Sequence, residues 1–207
     1  SNEINSDLQE LLNMPCIKKI AVRENKTFFE KYNNKIAISE VCDPAVWVRY
    51  VYNIIPKYNA VVGINVVRGG LFKDNNIAWK FKDEINYLIS LKEMLEKENI
   101  NCVFYTNGSF LDNVALRHIV KKYNIAKNNF KLINTSRELV ETISNFKFVC
   151  SIRMYSAIIS YSFGIPSINL IWNEKIKHFY QNIKREDDVF YIDDINLETI
   201  LKKIRNS

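Results

Sequence analysis

Short apolar runs rich in β-branched residues alternate with longer amphipathic segments along most of the chain. This alternation is typical of βαβ units, in which helices join parallel strands and cover the sheet. The near-continuous apolar character of the middle runs indicates strands that are buried on both faces. The predicted strands are 17–22, 35–39, 60–67, 101–106, 146–152 and 167–171. The predicted helices are 77–97, 111–123, 136–145, 154–163, 174–182 and 196–205.

The pattern predicts an α/β fold, a Rossmann-like parallel sheet with helices on both faces. Residues 1–55 supply too few strands to close a sheet, so we expect them to be the tail of a preceding domain or a connecting lobe. Residues 56–207 are predicted to form a Rossmann-like C-terminal domain. Ser1 and Asn2 read as a cloning remnant and Glu3 is not a natural initiator, so we expect a piece of a longer protein.

Composition narrows the class of protein. An apolar content of 47% in 207 residues is ample for a core and argues against disorder. No apolar run approaches the roughly 18 residues of a membrane span, and the start does not read as a signal peptide. We therefore expect a cytoplasmic protein, and the expected locations include the inner face of the plasma membrane.

Cysteine usage and charge distribution point to the same compartment and to anionic ligands. The four cysteines are widely spaced without a CxxC pair, so neither a zinc site nor a disulfide framework is predicted. The net charge is +6, but the basic residues are scattered without a stripe, so no nucleic-acid partner is expected. A modest positive field is compatible with anionic small molecules or with peripheral association at a membrane surface.

Four loops follow the predicted strands of the second part of the chain. In open parallel sheets, ligands bind beyond the carboxyl ends of the strands, so these loops contain the candidate site residues. Each one carries an Arg, a Lys or a glycine-containing turn able to hold an anion. The loops are 68–70, 107–109, 153–156 and 172–175.

Most of these residues also have a plain structural interpretation. The Arg-Gly-Gly at 68–70 fits no nucleotide-binding signature and reads as a flexible loop. Asn107 begins an Asn-Gly turn, and Asp112 is as well placed to cap the following helix as to bind a ligand. Arg153 follows a buried strand directly, so it must find an anionic partner or reach solvent.

The sequence lacks the residues expected for a metal site and for the nucleophile of a hydrolase. His118 and His178 lie in separate, polar-faced helical patterns, and no spaced acidic cluster accompanies them, so no metal site is predicted. The sequence contains no GxSxG motif and no Cys–His pairing signature, so a hydrolase would lack its nucleophile.

Five collinear segments resemble the polysaccharide pyruvyl transferase family. The first two are V-R-E-N-K-T at 22–27 and D-P-A at 43–45, on either side of a strand. The most recognisable is S-I-R-M-Y-S-A-I at 151–158, which resembles the family's S-x-R-(L/M)-H-(A/S)-x-I. It is followed by G-I-P at 164–166 and by W-N-E-K at 172–175.

The resemblance implies a glycosyltransferase-B-like architecture of two Rossmann-like lobes, of which this chain is the C-terminal one. The family transfers a pyruvyl group from phosphoenolpyruvate, the donor substrate, to a sugar of a surface polysaccharide, and no cofactor is implied. The implied partners are an anionic small-molecule donor, a glycan or lipid-linked saccharide acceptor, and the N-terminal lobe of the same protein. Without that lobe, the isolated chain is expected to be inactive.

The resemblance and the residues agree on Arg153. A guanidinium suits the phosphate and the carboxylate of phosphoenolpyruvate, and the backbone at Met154, where a helix opens, would assist. At the next position the family has a His that is taken as the general acid, whereas this chain has Tyr155. A phenol donates a proton poorly near neutrality, so whether the parent protein is an enzyme stays open.

The remaining implied donor-binding residues are Arg23, Lys175 and Asn107. For Arg23, the alternative is a surface ion pair with Glu24 or Glu30. For Lys175, the alternative is a plain surface position at the start of a helix.

Two further functions stay open at the level of sequence. One is a glycosyltransferase domain of similar fold that uses a nucleotide sugar, although no acidic ribose-binding residue stands at a strand end. The other is an inactive family member that acts as a binding module, which Tyr155 favours.

Overall fold

The computed structural model describes residues 6–32 and 35–207 of the chain. The chain divides into two compact units, Ser1–Pro44 and Ala45–Ser207. The first unit contains helix α1 (Ser6–Leu12), strand β1 (Ile20–Val22), helix α2 (Lys26–Glu30) and strand β2 (Ile38–Glu40). Strands β1 and β2 pair in parallel, so both strands predicted in this part are present in shorter form.

The second unit is built on a six-stranded, fully parallel sheet. Its strands are β3 (Val61–Asn65), β4 (Asn101–Tyr105), β5 (Phe130–Lys131), β6 (Phe148–Ser151), β7 (Ser167–Ile171) and β8 (Val189–Tyr191). Its helices are α3 (Val48–Tyr52), α4 (Leu71–Asp74), α5 (Phe81–Lys97), α6 (Phe110–Tyr123), α7 (Ser136–Ile143), α8 (Met154–Ser162), α9 (Glu174–Asn182) and α10 (Leu197–Arg205).

Helices cover both faces of this sheet, as the sequence predicts. Helices α5, α6 and α10 contribute Leu91, Leu116 and Ile200 to one buried cluster, together with Ile64 of β3. Helices α7 and α8 contribute to a second cluster. The architecture is therefore mixed α/β with a parallel sheet between helical layers, and the predicted Rossmann-like fold is confirmed.

The strand order explains where a ligand can bind. The order is β5-β4-β3-β6-β7-β8, so the chain winds one way from β3 and then crosses over to wind the other way from β6. This corresponds to the order 3-2-1-4-5-6 of doubly wound sheets, whose ligands bind where the winding reverses. The carboxyl ends of β3 and β6 flank that point.

The unit boundary lies upstream of the predicted one at 55/56. Helix α3 belongs to the second unit because Val48, Tyr52 and Ile54 pack against the cluster of α7 and α8. The Tyr52 hydroxyl also donates a hydrogen bond to Ser136 Oγ at 2.9 Å.

The edge strands β5 and β8 and the short helix α4 are absent from the sequence prediction. The two strands have only two and three residues and are partly exposed, so they leave no apolar run to detect. Helix α5 begins at Phe81 instead of 77 because Asn76 adopts a left-handed turn (φ 58°) and Lys80 occupies the N-cap. Within the described ranges, no helix has both the length and the apolar character needed to cross a bilayer.

Candidate functional site

A cavity of about 500 Å³ opens at the carboxyl edge of the sheet, where the winding reverses. The predicted loops after β3, β4, β6 and β7 all contribute to its wall. The lining residues are Arg68, Asn107, Ser109, Leu111, Asp112, Arg153, Met154, Tyr155, Trp172, Asn173 and Lys175.

Asn65, at the end of the central strand β3, ties three of these loops together. Its side chain is fully buried. Its Oδ1 accepts a hydrogen bond from the Arg153 backbone N–H at 3.1 Å, and its Nδ2 donates to Asn107 Oδ1 at 2.9 Å. The Ser156 hydroxyl donates to the same Asn107 oxygen at 2.6 Å. The start of helix α8 is therefore fixed relative to the loop after β4.

Arg153 finds its anionic partner in Asp112. The Nε and Nη2 atoms of Arg153 donate to the two carboxylate oxygens of Asp112 at 3.2 and 2.7 Å. This is a bidentate fork, the strongest and most directional geometry for such a pair. Within the described residues, Nη1 of Arg153 has no hydrogen-bond partner.

Asp112 is a structural hub and not a helix cap. Its carboxylate is fully buried, and it accepts a third hydrogen bond, from the Arg68 backbone N–H at 2.8 Å. The N-cap position of α6 is occupied by Ser109, whose side chain makes no capping hydrogen bond. Asp112 thereby holds the loop after β3 and the guanidinium after β6 in one arrangement.

A second buried acid lies beside this pair. Glu84 of α5 is fully buried, and its Oε1 accepts a hydrogen bond from the Val67 N–H at 3.2 Å. Among the residues that the structure describes, its Oε2 has no hydrogen-bond partner. The pKa of Glu84 is raised to about 8, chiefly by burial and to a lesser extent by the nearby Asp112, which together outweigh the lowering effects of the Val67 hydrogen bond and of Arg153. At neutral pH the side chain is therefore mostly a neutral acid.

Helix α8 opens directly into the cavity. Arg153 is its N-cap residue, and Met154 and Tyr155 form its first turn. The first N–H groups of a helix have no intrahelical acceptor and carry partial positive charge. Met154 and Tyr155 line the cavity, so the first turn of α8 forms part of its wall. Tyr155 is 48% exposed.

The loop after β7 forms the remaining wall. Asn173 caps α9 by accepting a hydrogen bond from the Ile176 N–H at 3.2 Å, and Lys175 follows in the first turn. Trp172 donates its indole N–H to the Ile152 carbonyl at 2.7 Å, which joins this loop to the one carrying Arg153.

The structure brings five of the six predicted site residues to this cavity: Asn107, Arg153, Met154, Tyr155 and Lys175. Arg23 belongs to the first unit, where it forms an ion pair with Asp43. The functional role of each of the six remains a prediction.

The sequence analysis does not identify Asn65 or Glu84, and it treats Arg68 only as part of a candidate loop. Glu84 leaves a signal, because it stands three residues after Phe81 and four before Leu88 and so shares the apolar face of α5. Asn65 is a polar residue in the last position of a buried strand, on the edge where ligands bind. The loop of Arg68 is one of the four that can hold an anion, but it fits no nucleotide-binding signature that would single out the side chain.

In the described parts of the chain, no three His, Cys, Asp or Glu side chains lie close enough together to hold a metal ion.

No curated protein shows significant similarity to the chain. The model of the family described as polysaccharide pyruvyl transferase matches residues 3–174, which is most of the 207 residues. The match includes the first four motif segments in full and ends at Glu174, inside the fifth segment at 172–175. The chain therefore belongs to the polysaccharide pyruvyl transferase family.

Proposed function

We propose that this chain is the donor-binding C-terminal domain of a pyruvyl transferase that acts on a bacterial surface polysaccharide. In this proposal, phosphoenolpyruvate binds in the cavity. Its pyruvyl group is transferred as a ketal to two hydroxyl groups of one sugar, its methylene carbon gains a proton, and inorganic phosphate leaves. The observation that carries the proposal is the arrangement of Arg153, held by a carboxylate fork at the first turn of α8, inside a cavity of about 500 Å³.

The anionic groups of the donor account for the residues on the wall. Phosphoenolpyruvate carries a phosphate and a carboxylate, and both accept hydrogen bonds from guanidinium, ammonium and backbone N–H groups. Nη1 of Arg153, the N–H groups at Met154 and Tyr155, and Nζ of Lys175 are the donors that this proposal assigns to them. The amide of Asn107 completes the set.

Tyr155 stands at the position of the family's general acid. Its neutral phenol can donate a hydrogen bond, and with a reference pKa near 10 it gives up a proton less readily than an imidazole. We therefore assign it to steadying the developing charge on the donor, with proton transfer slower than a His would give.

The proposed partners follow from the same chemistry. The acceptor is a glycan or a lipid-linked saccharide, and an N-terminal lobe of the same protein supplies the other side of the cleft. The proposed location is the cytoplasm, at the inner face of the plasma membrane, where lipid-linked saccharides are assembled. Phosphoenolpyruvate is a substrate here, and no further cofactor is proposed.

Calorimetry with phosphoenolpyruvate tests the donor. We expect one site per chain, and we expect Arg153→Lys, which keeps the charge opposite Asp112 but loses the fork, to weaken binding about tenfold or more. The matched control is Arg137→Lys, because Arg137 is exposed, forms an ion pair with Glu141 and does not line the cavity. Binding of UDP or GDP in place of phosphoenolpyruvate would favour the nucleotide-sugar alternative and refute this donor.

Tyr155 specifically favours a second candidate, an inactive family member that binds the donor or glycan without turning it over. The variant Tyr155→His in the full-length parent separates the two. Gain of phosphoenolpyruvate-dependent pyruvylation only in the variant would identify the natural protein as a binding module. Comparable turnover before and after the change would exclude that candidate.

A further inference from the structure

Two arginines line the cavity, and they are held very differently. Arg153 makes two hydrogen bonds to a carboxylate that is completely buried. Arg68 pairs through Nη2 with Asp74 of α4, a carboxylate that is 54% exposed. The backbone of Arg68 is fixed independently, because its N–H is bonded to Asp112.

Arg153 is not free to leave its partner. Separating it from Asp112 would leave a buried carboxylate without its counter-charge, which is among the costliest changes in a protein interior. Its positive charge is also balanced locally, since the pair Asp112–Arg153 is neutral as a unit. Arg153 can offer an incoming anion a hydrogen bond through Nη1, but little net charge.

Arg68 is free to exchange its partner. Ion pairs with exposed carboxylates contribute little to stability because water solvates both groups well when they separate. The guanidinium can therefore leave Asp74 at small cost while the backbone anchor at Asp112 keeps the base of the side chain at the cavity wall. Asp74 itself does not line the cavity.

We propose that Arg68 is an anion-binding residue of this cavity, and that its guanidinium exchanges Asp74 for the phosphate or carboxylate of the bound donor. The inference rests on the proposed function and adds to it a cation that lies outside the family's motif segments. Arg68 and Lys175 then supply the net positive charge, while Arg153 supplies a fixed hydrogen-bond donor.

The exchange predicts opposite effects for the two partners of the surface pair. In calorimetric titrations with phosphoenolpyruvate and, separately, with inorganic phosphate, Arg68→Met should weaken binding about tenfold to a hundredfold, because it removes a charged hydrogen-bond donor. Asp74→Asn should tighten binding about twofold to fivefold, because it removes the competing carboxylate.

Lys73→Gln is the matched control, since Lys73 is an exposed cation next to Asp74 that does not line the cavity. It changes the net charge by the same amount as Arg68→Met and should alter binding less than about twofold, since solvent and salt screen its charge. Thermal unfolding of each variant, measured alongside the titrations, shows whether the variant is folded. Asp74→Asn is expected to fold normally, because Asn has nearly the same shape as Asp and the position is exposed.

The outcomes separate this inference from the proposed function. If the natural chain binds phosphoenolpyruvate and Arg68→Met binds it equally well, the exchange is refuted and the donor stands. If only inorganic phosphate binds, and Arg68→Met weakens that binding, the exchange stands and the donor is refuted. Weaker binding by Asp74→Asn, or equal losses in Arg68→Met and Lys73→Gln, would also overturn the exchange. Absence of binding by both probes would refute both.

Discussion

The buried acid Glu84 makes the stability of the second unit depend on pH in a way that a single substitution should remove. Burial raises the pKa of its carboxyl from 4.5 to about 8. In the unfolded chain the group is solvated and ionises with its ordinary pKa. Glu84→Gln replaces it by a neutral amide of the same shape, which keeps an oxygen to accept the Val67 N–H.

The sign and size of the effect follow from proton linkage. Between pH 4.5 and 8 the folded chain keeps a proton that the unfolded chain has lost, so the free energy of unfolding falls by roughly 1.4 kcal/mol per pH unit. The contribution of this group is fully present below pH 4.5 and is lost as the pH rises through about 8. Across the window the loss is about 5 kcal/mol, and Glu84→Gln should not show it.

Urea unfolding followed by tryptophan fluorescence measures this effect. The three tryptophans, Trp47, Trp79 and Trp172, all lie in the second unit, so the signal reports its unfolding. The difference in unfolding free energy between Glu84→Gln and the natural chain should be near zero at pH 4.5 and should grow toward pH 8. Glu93→Gln, which changes an exposed glutamate on the same helix, is the control. A difference that stays constant with pH would refute the reasoning.

Three further substitutions test the structure around the site. Asp112→Ala should lower the free energy of unfolding by about 3–5 kcal/mol, because it leaves a partly buried guanidinium without its carboxylate. Gly63→Ala should cost about 1–3 kcal/mol, because a Cβ at this central strand position would overlap the ring of Phe146. Thr135→Ala should cost about 1 kcal/mol by removing the cap of α7, whereas Ser109→Ala, at a cap position without a side-chain bond, should cost little.

Urea unfolding at pH 7 measures all three, and each has its own contradicting result. An Asp112→Ala variant as stable as the natural chain would mean that the fork contributes nothing. For Gly63→Ala, the added variant Phe146→Leu should recover part of the loss, and no recovery would exclude the clash as the cause. Equal losses of unfolding free energy in Thr135→Ala and Ser109→Ala would show that the capping hydrogen bond of Thr135 does not stabilise the protein.

Much of the fold follows from local patterns in the sequence. Strand β7 and helix α9 have the predicted bounds, and helix α8 begins at the predicted Met154. These elements combine uninterrupted apolar runs or helical spacing with clear stops such as Gly164, whose positive φ of 71° ends α8. The edge strands β5 and β8 were not predicted because they have only two and three residues and are partly exposed. Such short strands form by hydrogen bonding to a neighbouring strand and do not require an apolar run in the sequence.

The site was predictable as a set of loops but not as a network. Topology alone brings the loops after β3, β4, β6 and β7 to one edge, and that requires only the recognition of a parallel sheet. The choice of Asp112 as the partner of Arg153 requires two residues 41 positions apart to meet, and no local spacing encodes such a meeting.

The sequence by itself determined the fold class, the edge of the sheet where ligands bind, the family, and Arg153 as the residue to examine. Each of these depends on local periodicity or on short motifs, which a single chain displays directly. Only the tertiary structure decided how the charges are distributed: Asp112 neutralises Arg153, Glu84 keeps its proton, and Arg68 retains an exchangeable partner. Burial and long-range pairing fix the state of each charged group, and both arise only when distant segments pack together.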